Sequence, residues 1–176
     1  MFKLPGRRKP TSAPATEEPP LTNEQIEAEH FPGIVPLSPS RREIRWGDLT
    51  ACPGERQWMV RDGDGLEILV AGEPEELSSA HLAIAQFAMT QFDEVQALAI
   101  RLLRSFVHEP GSWSLDELNA GQDADRNRCD FQAALSFSPS SGSDAYGYTS
   151  FVVCFRVTKG THKQRMHPFK TIIEFL

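Results

Sequence analysis

No stretch of this chain approaches the roughly 20 consecutive apolar residues that a bilayer-crossing helix needs. The opening run Met1-Phe2-Lys3-Leu4-Pro5-Gly6-Arg7-Arg8-Lys9 lacks the apolar segment of a secretion signal. A cytoplasmic protein without membrane contact is the expectation. Cysteine is scarce: Cys52, Cys129 and Cys154 stand apart with no C-x-x-C pair, a pattern that fits neither a zinc knuckle nor a disulfide framework and points to reduced thiols. Cys154, among apolar neighbours, reads as a small buried hydrophobe. Phosphate-cradling glycine motifs, a G-x-S-x-G nucleophile elbow and an H-E-x-x-H zinc pair are all missing. His30, His81, His108, His162 and His167 show no spacing that sets two imidazoles on one face. No catalytic residue, cofactor or metal is therefore assigned.

Hydrophobic periodicity is what the sequence does supply. Ala85, Ala88, Phe92, Val95, Ala99, Leu102 and Phe106 step by three and four, forming one stripe on a helix that runs from about Ser78 to His108, continuous or broken near Thr90 and Gln91. Strand-like alternation follows at Phe131 to Phe137, Tyr148 to Val157 and Thr171 to Phe175. Upstream, Trp58-Met59-Val60 and Leu66 to Val70 flank Asp62-Gly63-Asp64-Gly65, the pattern of a hairpin. Trp113-Ser114-Leu115 suits a short strand, and Asp116 to Asp130 reads as a loop. The fold class these elements imply is α+β: an antiparallel sheet of about five strands with one long helix packed on one face. Alanine at three stripe positions favours a helix on its own sheet over a coiled coil.

Eight of the 13 prolines precede Glu43. Residues 1–42 therefore read as a Pro-rich arm, with a short helix near 23–30 started by Thr22 and Gln25 and stopped by Pro32-Gly33. Residues 43–176 form the single domain.

Two acidic runs look superficially like calcium loops. Asp62 to Glu67 lacks the later ligands of an EF-hand, and Asp123-Ala124-Asp125-Arg126-Asn127 has Arg128 where glycine is required. Turns explain both more simply. Charge distribution says more: Glu43 to Phe155 holds 18 acidic against 7 basic residues, whereas Arg156 to Leu176 is basic. The acidic body would steer a basic partner and repel nucleic acid, although a solvated surface is the plainer account. Asp116, Glu117, Asp123 and Asp125 are the candidate partner-binding residues.

In layout, the helix at Ser78 to His108 followed by the strands at Phe131 to Phe137, Tyr148 to Val157 and Thr171 to Phe175 resembles small acidic immunity-type proteins of bacteria and related domains of unknown function. The resemblance covers residues 56 to 176 and carries no family-defining motif. It implies a non-catalytic protein-binding domain, an inhibitor that occludes a basic partner protein. Two alternatives come from other classes: a hydrolase whose site assembles distant residues such as Asp62, His81 and Ser141, and a structural subunit tethered through the N-terminal arm.

Overall fold

The computed structural model describes residues 43–159 and 164–175. The arm of residues 1–42, its helix near 23–30 and His162 lie outside the described residues. A 3-10 turn at Trp46–Asp48 leads into β1 (Thr50–Ala51), β2 (Gln57–Arg61), β3 (Glu67–Glu73) and β4 (Glu76–Leu77). Then come α1 (Ser79–Thr90), α2 (Phe92–Leu103), β5 (Gly111–Ala120), α3 (Gln122–Arg126), β6 (Phe131–Pro139), β7 (Thr149–Lys159) and β8 (Gln164–Phe175). The eight strands form one sheet in the order β1-β2-β3-β5-β6-β7-β8, with β4 folded back on the end of β3. Its pairings are antiparallel except β3 with β5, which run parallel.

This mixed, mostly-sheet architecture overturns the expected α+β layout of five antiparallel strands beneath one long helix. The helical stretch is two 12-residue helices, and α2 ends at Leu103. The Thr90 hydroxyl donates to the Phe87 carbonyl at 2.7 Å, competing with the helix ladder, and Gln91 leaves helical geometry at φ −115°, ψ 29°. The stripe nevertheless stays on one side: Ala85, Ala88, Phe92, Val95 and Ala99 are buried, while Phe106, beyond the helix end, is 55% exposed. Together α1 and α2 are the crossover that a parallel pair requires. α1 lies over β3 and β5, α2 over β6 and β8.

The largest error of the sequence reading is β5, a ten-residue strand where a loop was expected after Leu115. A β-bulge at Asp116 explains it. Register against β6 shifts between Leu115 and Glu117, so Leu115 and Leu118, three apart, both face the core. Strict alternation cannot find such a strand. The β2–β3 hairpin is an ordinary side-chain-supported turn: the Asp62 carboxylate accepts from the Asp64 and Leu66 amides at 2.9 and 2.8 Å, and Gly65 takes φ +91°.

The sheet has two unlike faces. Val60, Ile68, Val70, Leu118, Phe131, Leu135, Phe151, Val153 and Phe155 point toward α1 and α2 and are buried there. Phe131 and Phe155 stack with ring centroids 4.7 Å apart. The opposite face carries Leu69, Glu117, Asn119, Gln132, Val152, Cys154 and Ile172. Over part of it lies α3, whose Ala124 packs with Cys129, Cys154 and Ile172. At the sheet's β8 edge, register shifts opposite Cys154 and Phe155, with Pro168 paired to Phe155 and Phe169 left as the extra residue. Proline and a bulge blunt an edge against further strand pairing. Among the described residues, no helix is long and apolar enough to cross a membrane.

A candidate cleft at the ends of the parallel strands

The parallel pair sets the location of the candidate site. From the end of β3 the chain passes through β4 to α1 on one face; from the end of β5 it passes directly to α3 on the other. Adjacent strands whose exits diverge to opposite faces leave a crevice beyond their carboxyl ends. A cleft of about 650 Å³ opens there, lined by Arg56, Gly72, Glu73, Glu76, Ser78, His81, Gln122 and Asp125 among others. A second depression, lined by Glu55, Arg56, Gln122, Asp123 and Arg126, adjoins it, sharing Arg56 and Gln122.

Local chemistry holds each wall. Gly72 is required by close approach: a Cβ there would lie 2.8 Å from the Glu76 carbonyl oxygen and 2.9 Å from both Leu77 Cα and Trp58 Cδ1. The Trp58 indole donates to the Glu73 carbonyl at 2.9 Å, and the Ser78 amide donates to the Ala71 carbonyl at 3.1 Å. The β3–β4 turn is thereby tied to both β2 and β3. On the β5 side, Asn119 is 1% exposed. Its side-chain oxygen accepts from the Gly121 amide at 2.8 Å and its amide donates to Glu117 at 3.0 Å, fixing the turn into α3.

Ser78 is the N-cap of α1 and His81 the third residue of that helix. The hydroxyl makes no bond to the helix amides but meets His81 Nδ1 at 2.7 Å, and His81 Nε2 faces Asp125 Oδ1 at 3.4 Å. A hydroxyl, an imidazole and a carboxylate thus stand in line across the cleft. Solvent reaches both outer contacts, since the His81 and Asp125 side chains are 27% and 61% exposed.

Carboxylates outnumber cations here. Arg56 pairs with Glu73, and Arg126 donates to Asp123 at 3.0 Å. Glu75 and Glu76 are exposed beside them without a cation paired to either among the described ion pairs.

Of the four partner-binding residues expected from the sequence, Asp123 and Asp125 stand on α3 at this rim. Asp116 is exposed in the β5 bulge, and Glu117 is half-buried on the sheet face under the influence of Asp123 and Glu174. Burial raises the Glu117 carboxyl above the ordinary carboxylate range, and those two negative charges add to the rise, while the Asn119 amide opposes it.

The distant hydrolase set is not assembled. His81 borders the carboxyl ends of β3 and β5, whereas Asp62 sits in the turn preceding β3. Ser141 bonds Glu109 at 2.7 Å beside the start of β5. Sequence reading missed Arg56, Glu73, Glu76 and Gln122 as a group. The available signal was Ser78 followed three residues later by His81 at a helix start, a capping-box position occupied by a titratable ring. Comparison with protein-family models, with curated proteins and with solved structures found no match.

Proposed function

We propose that this chain is a non-catalytic protein-binding domain that receives a basic segment of a partner protein at the cleft beyond β3 and β5. The supporting observation is the pair of adjoining depressions whose rims carry Glu55, Glu73, Glu76, Asp123 and Asp125 against Arg56 and Arg126. A concave acidic surface accelerates association with cations and admits a lysine or arginine side chain without burying an unpaired charge. The inhibitor form of this reading leaned on the simpler helix-and-strand layout that the mixed sheet replaces, so binding rests on the cleft instead. We place the protein in the cytoplasm, a setting consistent with its three free thiols.

A tetralysine peptide is a suitable probe. In a low-salt titration followed by amide chemical shifts, the perturbed residues should centre on Glu73, Glu76, Gln122 and Asp125. The double variant Glu76→Gln, Asp125→Asn should weaken binding by about two- to tenfold and flatten its salt dependence. Shifts spread evenly over all exposed carboxylates would remove the cleft assignment.

The Ser78–His81–Asp125 line favours a second reading, hydrolysis of an activated ester with Ser78 as nucleophile and His81 as base. Ser78→Ala separates the two. It should leave tetralysine binding intact, whereas it would abolish turnover of p-nitrophenyl acetate if the serine were catalytic. Wild-type turnover no faster than free imidazole sinks the hydrolase reading.

A further inference from the structure

Beneath α3, on the sheet face away from α1 and α2, two cysteines occupy one small buried cluster with Ala124 and the flanking Ile172. Cys154 is fully buried on β7, and Cys129 is 8% exposed in the short connection from α3 to β6. The chain on either side of Cys129 is pinned. Arg128 takes φ +57°, a left-handed turn unusual for a side chain of its size. The Asp130 amide then donates to the Phe155 carbonyl at 2.9 Å, and the Asp130 carboxylate accepts from the Val157 amide at 2.6 Å. Residue 129 is thus clamped beside the stretch of β7 that carries Cys154.

Polar contacts fix the position of each sulfur. Cys129 Sγ donates to the Ala124 carbonyl oxygen at 3.4 Å and packs in one buried cluster with Cys154, whose sulfur accepts from Gln132 Nε2 at 3.6 Å. Lys170, whose ammonium donates to Asn127 at 2.6 Å, adds positive charge beside both. The neighbouring Cys129 thiol holds the Cys154 thiol below the usual thiol range, aided by Gln132 and Lys170 and opposed by burial; the Cys154 neighbour and burial together push Cys129 up.

We propose that Cys129 and Cys154 are a redox-responsive pair that closes into an intramolecular disulfide when the protein meets hydrogen peroxide. The Cys154 sulfur, as thiolate, attacks one peroxide oxygen; the O–O bond breaks, giving a sulfenic acid and a hydroxide that takes up the displaced proton as water. The Cys129 sulfur then attacks the sulfenyl sulfur. An S–S bond forms, the S–O bond breaks, and the leaving hydroxide departs as a second water with the Cys129 proton. Two thiols are oxidised and one peroxide is reduced. The bond staples the end of α3 to β7, and α3 carries Asp125 of the cleft.

The test uses the full chain, with hydrogen peroxide as the oxidant. Titratable thiols should fall from three to one, and a non-reducing digest should yield a single peptide joining Cys129 to Cys154 that a dithiol reductant separates. Cys52→Ser should give the same linked peptide, and Cys129→Ser none. Amide exchange across Gln122 to Arg126 should slow on oxidation. The proposal is overturned by unchanged thiols under peroxide that fully oxidises a small-molecule thiol, by a linkage through Cys52, or by sulfinic and sulfonic acids without a crosslink. Unaltered exchange in the oxidised protein would overturn the stapling of α3. Mapping the wild-type chain decides these outcomes even if the serine variant folds poorly.

Discussion

The two faces of the sheet share every strand yet solve different problems. Toward α1 and α2, side chains such as Phe131, Leu135, Val153 and Phe155 are apolar and close-packed, with aromatic rings in contact along β5, β6 and β7. Toward α3, the residues one position along on the same strands include Gln132, Cys154, Glu117 and Asn119, buried or half-buried but polar or titratable. The first face holds the fold by excluded water, the second by directed bonds. Loss of a methylene is tolerable on the second and costly on the first; loss of a donor or acceptor has the reverse ranking.

Three substitutions put that contrast at risk. Phe131→Ala empties a fully buried site stacked on Phe155 and should cost about 3–5 kcal/mol in urea unfolding. A cost close to zero would mean the helix-covered face is not the main source of stability. Asn119→Ala removes the acceptor of the buried Gly121 amide and should cost about 1–3 kcal/mol. A cost close to zero would show that this bond does not govern the position.

Glu117→Gln should have the smallest effect and the opposite sign. Because the folded chain holds this carboxyl above its ordinary value, folding favours the protonated form. That contribution is fully present below the unfolded value of about 4.3 and is lost as pH rises through the folded one. At neutral pH the ionised side chain sits at a cost that the amide avoids while still accepting from Asn119. The variant should therefore unfold at a slightly higher urea concentration at neutral pH and match the parent in strong acid. A lower midpoint at neutral pH would contradict the burial of charge on this face.

The contrast also decides what was readable in the chain. The stripe from Ala85 to Ala99 and the alternation from Phe131 to Phe137 belong to the helix-covered side, where period alone carries information. The hairpin around Asp62 announced itself through its turn residues. β5 did not, because the bulge at Asp116 puts Leu115 and Leu118 on one side, a spacing that breaks strand alternation. The parallel pairing of β3 with β5 is a tertiary choice with no local mark. The cleft follows from that pairing, which is why Asp123 and Asp125 could be singled out as charges but not joined to Ser78 and His81.

Placing β5 beside β3 has a kinetic consequence. The hairpin of β2 with β3 and the meander of β6, β7 and β8 close through short connections, so each can form from nearby chain. Glu67 is paired with Glu117 across the whole stretch that holds both helices. Closing that longer loop costs more entropy than closing the hairpins, so the encounter is expected late in folding. Circular permutation that opens the chain between α2 and β5 should thus reorder the pathway, making the present late event into one that must recruit a separate end of the polypeptide.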